Sequence, residues 1–205
     1  METITEFLDH LYKAEEDQVQ SLVQWGYTIY RTYHGPRSDE QWTKLLKNIA
    51  DGVGKGLPQM EDAKNKPDAV TKARDQFRLD ARSLPATLDG LTMESVRRVY
   101  REGSGGQPMR GLQCNNWQNA IFLLADAQVL QDPDLSLVKV LDADYNPARA
   151  VPKNPRYGPQ RNFGWLTIPT TAVLDFYNYL DMPFTFDELE DLAGQGKHWD
   201  PYEQK

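Results

Sequence analysis

Three aspartates follow apolar runs in this chain: Asp126 closes WQNAIFLLA, and Asp142 and Asp144 close LSLVKVL. On an extended chain, side chains two apart share a face, so Asp142 and Asp144 are expected side by side. Two close carboxylates push one pKa upward and can divide general-acid and general-base work between them. Such a pair would also suit Mg²⁺, which takes oxygen ligands. The plainer reading is that aspartate ends strands and opens turns. We nominate Asp126, Asp142 and Asp144 as proton-moving groups and assign no metal.

The stretch WGYTIYRTYHGPRSDEQW, Trp25 to Trp42, carries the other reactive side chains. His34 has an imidazole suited to acid–base work near neutral pH; beside Gly35 and Pro36 it also reads as an exposed turn residue. Tyr27, Tyr30 and Tyr33 offer hydroxyls. Arg31 lies in line with apolar neighbours, where a guanidinium must find a partner. It is either a clamp for a substrate carboxylate or phosphate or half of an internal ion pair, and the pair is the preferred reading. Trp165, in FGWLTI, joins Tyr27, Tyr30, Tyr33 and Arg31 as a candidate substrate contact.

Other signatures are missing. The sequence has no Gly-x-x-x-x-Gly-Lys phosphate loop and no Gly-x-Ser-x-Gly elbow. The glycines at 103–106 end a helix instead of opening one. The three histidines, His10, His34 and His198, show no metal spacing. Cys114 is the single cysteine, so an intrachain disulfide and a cysteine-based zinc site are excluded, and it reads as a packed thiol. Arg97, Arg98 and Arg101 read as a solvated helix face.

The elements that must position these groups follow from periodicity. Thr3 and Glu6 fit a capping box, and apolar positions from Ile4 onward predict one long or broken helix to about Val23, packed outside as an arm. Trp25 to Tyr33 predicts a strand. Ser38 and Gln41 predict a second capping box ahead of the stripe Trp42, Leu45, Leu46, Ile49. Residues 51–68, rich in Gly, Pro and charge, read as a flexible connection. FRLDARSL predicts a short strand, Thr92 caps a helix through Tyr100, and the runs ending at Ala125, Leu141 and Ile168 predict three more strands. Tyr145 to Asn162 holds four prolines and is locally basic; it reads equally as a lid over an anionic ligand or as a disordered surface loop. Helices after Thr170 or Thr171 and after the Thr185/Glu188 box finish the chain. Interspersed strands and helices without a βαβ repeat predict an α+β fold. The specific expectation is ferredoxin-like, or a related antiparallel or mixed sheet covered by helices on one face, with an extra N-terminal helix. The expected division is an arm over 1–24, a single domain over 25–193 and a tail over 194–205.

Composition bounds the function. The 205 residues carry a formal charge of −7, are 40% hydrophobic and 11% aromatic, and have no apolar run of membrane-spanning length. That charge disfavours nucleic-acid and anionic-membrane partners. METITEFLDHLY does not read as a secretory signal, and the expected setting is the reducing cytoplasm.

Three stretches carry a resemblance: WGYTIYRTYHGPRSDEQW; LTMESVRRVYRE with IFLLADAQVLQ; and FGWLTIPTTAVLDFYNYL. They resemble a large set of uncharacterised fungal proteins that share a W-G-[FY]-x-I-Y-R-x-x-Y strand, and the likeness covers roughly residues 25 to 180. It implies a fungal, intracellular, single-domain protein and brings no activity. The HGPR turn is longer than that pattern, and the helix before Trp25 is an extension. From the residues themselves, two functions stay open. One is a cofactor-independent isomerase, cyclase or lyase acting on a small, partly apolar metabolite of secondary metabolism, and this is the preferred one. The other is a non-catalytic interaction or dimerisation protein, with a homodimer open in either case.

Overall fold

The computed structural model describes residues 3–14, 20–22, 24–109, 113–114, 117–118, 120–132, 134–152, 156, 160–181, 185–194 and 197–202. In chain order the elements are α1 (Ile4–Leu11), β1 (Tyr12–Ala14), β2 (Gln20–Leu22), β3 (Trp25–Arg31), α2 (Ser38–Gly56), α3 (Pro67–Gln76), β4 (Phe77–Arg82), α4 (Pro85–Leu88) and α5 (Met93–Glu102). Then come β5 (Gln113–Cys114), β6 (Trp117–Gln118), β7 (Ile121–Ala125), α6 (Ala127–Gln131), β8 (Leu137–Asp142), α7 (Pro147–Ala150), β9 (Trp165–Pro169), α8 (Val173–Asp181) and α9 (Phe186–Ala193). The fold is α+β, as expected, with a mixed five-stranded sheet in the order β4-β3-β7-β8-β9.

The buried strand β3, second in the sheet, runs parallel to both neighbours, β4 and β7. The chain leaves β3 in one direction to reach β4, then returns past β3 to reach β7. Crossovers of one hand that travel in opposite directions must lie on opposite faces of the sheet. That is what is seen. Trp42, Leu45, Ile49 and Val53 of α2 and Val70 and Ala73 of α3 pack on the face of Trp25, Tyr27, Ile29 and Leu123. Leu88 of α4 with Val96 and Tyr100 of α5 packs on the other face, against Tyr30, Phe122, Leu124 and Leu141. The helical cover therefore extends to the second face. From β7 onward the sheet turns antiparallel, through β8 and β9.

Several local expectations change. α1 stops at Leu11 and is followed by the antiparallel pair β1 and β2, so no helix runs on to Val23. It is not an outer arm: Ile4, Phe7, Leu8 and Leu11 are buried, and Phe7 meets Trp25 edge to face at 4.8 Å. The Thr3/Glu6 capping box does form. Residues 51–68 are not a flexible connection, because α2 continues to Gly56 and short 3-10 turns lead into α3. Two glycines there serve close packing. A Cβ on Gly52 would stand 2.6 Å from the Thr170 carbonyl oxygen, and one on Gly56 2.9 Å from Leu174 Cδ2. At i, i+4 spacing they form a smooth face that lets α2 approach the segment 170–174.

The last segment also belongs to the domain. Trp199 is buried beside Phe176 and Tyr179. The Thr167 amide donates to the Lys197 carbonyl, and the Trp199 amide donates to the Thr167 carbonyl, which covers the outer edge of β9.

Candidate functional site

β3 and its parallel neighbour β4 send their outgoing connections to opposite faces of the sheet, β3 into α2 and β4 into α4 and α5. An open crevice is expected outside the carboxyl ends of such strands. One of about 510 Å³ lies there. Its floor and one wall are Thr32, Tyr33, His34 and Gly35, which follow β3; Asp89, Gly90 and Leu91 form the wall between α4 and α5; Asp126 and Ala127 follow β7. Backbone bonds pull these three connections together: the Thr32 amide donates to the Ala125 carbonyl at 3.0 Å, and the Gly90 amide donates to the Thr32 carbonyl at 2.9 Å.

Asp126 caps α6, with Oδ1 accepting from the Val129 amide at 3.2 Å. Its Oδ2 accepts from Lys139 Nζ at 2.6 Å. Lys139 is buried on β8, and its ammonium also lies 5.2 Å from the Trp165 ring centre. The His34 ring is pinned at both nitrogens, Nδ1 to Asp89 Oδ1 at 3.1 Å and Nε2 to the Ser83 carbonyl at 3.1 Å. Both partners are acceptors, so a neutral ring can donate to only one of them. The His34 amide donates to the same carboxylate oxygen at 3.2 Å. Tyr33 Oη accepts from Gln131 Nε2 at 3.2 Å and keeps its own hydroxyl hydrogen to offer.

Arg31 lies beneath the turn and does not line the crevice. Its Nε donates to the Tyr33 carbonyl at 3.0 Å, and its Nη2 donates to Ser38 Oγ at 2.7 Å and to Asp39 Oδ1 at 2.6 Å. The carboxylate partner is on the surface, not internal: the Arg31 side chain is 4% exposed and that of Asp39 93%. This network replaces the Ser38/Gln41 capping box. Arg37, in the left-handed region, holds the cap position, and Ser38 Oγ donates to the Gly35 carbonyl at 2.5 Å.

The tyrosines part company. Tyr27 is buried on the α2 face, its hydroxyl has no partner among the described residues, and burial raises its pKa well above the usual phenol value. Tyr30 is buried on the α5 face, where its hydroxyl accepts from Arg82 Nη1 at 3.4 Å and burial again raises the pKa. Of the three, Tyr33 lines the crevice.

Asp142 and Asp144 are elsewhere. Asp142 pairs with Ile121, the first residue of β7, whereas Asp126 follows the last. The strand between separates them by roughly 15 Å or more. Asp142 and Asp144 are joined by a turn, the Asp144 amide donating to Asp142 Oδ1 at 2.8 Å. Burial, reinforced by the charge of Asp144, raises the Asp142 pKa to about 6 against the hydrogen bond and nearby Arg97.

That end of the sheet is a polar clamp. Arg97, expected on a solvated face, is buried: its Nε donates to the Asp142 carbonyl at 2.8 Å and its Nη2 to the Phe163 and Gly164 carbonyls at 3.2 and 2.7 Å. Its guanidinium lies 4.8 Å from the Tyr145 ring centre. The buried Glu190 accepts from the Phe163 and Gly164 amides and from Lys197. A signal for Arg97 was present, since it stands at i+4 from Met93 and shares the stripe of Val96 and Tyr100. Lys139 could be read from its place inside LVKVL. Nothing local singles out Asp89 or Glu190.

Parts of the 145–162 connection, Lys153 included, and the Cys114 side chain lie outside the described residues. Among the described residues no helix is long and apolar enough to cross a membrane, and no group of three or more His, Cys, Asp or Glu side chains converges. No family model matches the chain, and comparison with curated proteins and solved structures found no match.

Proposed function

We propose that the crevice beyond β3 and β7 binds a small, partly apolar metabolite and that the protein transforms it by acid–base chemistry with its own side chains. The observation that carries this reading is the convergence of Asp126, Tyr33 and His34 on a cavity at the point where parallel strands send their connections apart. Asp126 is the proton acceptor, through a lone pair not engaged by Lys139 or the Val129 amide, and the Tyr33 hydroxyl donates toward charge that develops on the substrate. Isomerisation, cyclisation and elimination need no further group. The cytoplasmic setting, the fungal likeness and a place in secondary metabolism belong to this same proposal.

The test is to incubate the purified protein with a metabolite extract and follow consumed and formed species by mass spectrometry. Turnover should be lost in Asp126→Asn and reduced in Tyr33→Phe, each checked for folding by circular dichroism. If the wild-type protein changes no species, or a folded Asp126→Asn turns over equally fast, the enzymatic reading falls.

One observation favours a second reading, a binding role without catalysis. Among the described residues β4 pairs with β3 alone, leaving an outer edge that a strand from a partner or a second copy can join. Light scattering of the wild type and of Ala81→Pro on that edge separates the two. An oligomer that the proline abolishes supports it, and a monomer in both removes the homodimer.

A further inference from the structure

The charges around the crevice specify what it can hold. This inference rests on the proposed binding role of that cavity and names the ligand's chemical class. None of the described residues lining it is a lysine or an arginine. Two cations on β3 and β8 are committed to protein acceptors: Lys139 is held to Asp126, and Arg31 is turned beneath the β3–α2 turn to Tyr33, Ser38 and Asp39. The His34 ring has both nitrogens engaged with protein acceptors. An anion entering here meets no free cationic side chain among the described lining residues.

The ionised groups that do line the cavity include carboxylates on two of its walls. Asp89 uses Oδ1 for both bonds to His34, and its side chain is 57% exposed, so Oδ2 is left to solvent. Asp126 lines the cavity from the connection after β7. Tyr33 lines the same cavity. A carboxylate beside an aromatic ring is suited to an ammonium group, which gains a charge-assisted hydrogen bond and attraction to the ring face.

We infer that the ligand is a small amine, with its ammonium bound by Asp89 and Asp126 and its apolar body set along Tyr33 and Leu91. Phosphorylated or carboxylated metabolites are excluded by the same charges.

The test uses phenethylamine, 2-phenylethanol and 3-phenylpropionate, which share a phenyl body and differ in the end group. Binding is read at pH 7 from NMR shifts of the Thr32–Gly35 and Gly90 amides and from thermal denaturation. Phenethylamine should shift those amides saturably and raise the melting temperature, the alcohol should bind at least tenfold more weakly, and phenylpropionate should leave them unmoved. Asp89→Asn, which keeps an acceptor for the His34 amide, should weaken the amine at least tenfold and leave the alcohol unchanged. Phenylpropionate shifting the crevice amides more strongly than phenethylamine overturns the amine inference and leaves the crevice as a binding site. If none of the three probes perturbs the crevice amides, both readings are overturned.

Discussion

Lys139 Nζ lies 2.6 Å from Asp126 Oδ2, so the mouth of the crevice is tied to the interior of β8 by one ion pair. The lysine side chain is 4% exposed and the aspartate 24%, an asymmetry that decides what each substitution does. Removing one partner of a buried pair leaves an uncompensated charge, at a cost of about 3 kcal/mol. Asp126→Ala, which also removes the α6 cap, should lose at least that much stability in urea denaturation. Adding Lys139→Met to it should recover most of the loss. A double variant no more stable than the single one would show that the pair is not what holds this connection.

Asp142 sets a pH dependence of unusual sign. Its folded pKa, near 6, lies above the ordinary carboxylate value of 3.8, so the folded state binds more protons than the unfolded state between those values. Stability from this group therefore falls as pH rises through that window and is lowest above it. Asp142→Asn keeps the acceptor for the Asp144 amide. It should raise the unfolding free energy at pH 7.5 and have little effect at pH 4. Equal effects at both pH values would remove the carboxylate's ionisation as the cause.

Arg97 joins the end of β8 to the start of β9 through carbonyl oxygens of Asp142, Phe163 and Gly164. Charged donors make hydrogen bonds worth about 1.5–3 kcal/mol each when buried acceptors depend on them. Arg97→Ala should cost about 3 kcal/mol or more. Arg97→Lys should recover only part of this, because one ammonium cannot reproduce the planar fork. Denaturant midpoints of the two variants provide the comparison.

Tyr27 carries a buried hydroxyl without a partner among the described residues. Replacing such a group by an apolar one of the same shape is neutral or stabilising. Tyr27→Phe should leave the melting temperature unchanged or raise it, by up to about 1 kcal/mol of stability. A clear drop would reveal a hydrogen bond to that hydroxyl.

Every strand of the central sheet was legible from composition, since IFLLA and LVKVLD are short apolar runs closed by aspartate. Caps such as Thr92 and the Thr185/Glu188 box marked helix starts because they act within three residues. The site was legible only in part. Asp126, His34 and Tyr33 were nominated alongside Asp142, and nothing along the chain says that β7 and β8 run antiparallel and carry the two aspartates to opposite ends. Pairing partners are set by tertiary packing, not by a strand's own pattern. Glycines 52 and 56 misled for the same reason: a residue that breaks an isolated helix is required where another segment presses against it. Arg31 kept its expected need for a partner, but the partner came from the next helix and sits on the surface.

The antiparallel turn from β7 to β8 divides the molecule's tasks between its two poles. The clamp of Arg97, Glu190 and Lys197 sits at one, and the crevice with Asp89 and Asp126 sits at the other. Of residues 89–91, Leu91 packs on a buried cluster and Gly90 is fixed by its left-handed backbone and its bond to Thr32, which leaves the exposed Asp89 as the position that can change with the frame intact. On the proposed binding role, ligand preference can diverge among descendants of this chain by exchange at Asp89, whereas drift at the clamp would be removed as misfolding before any new preference appeared.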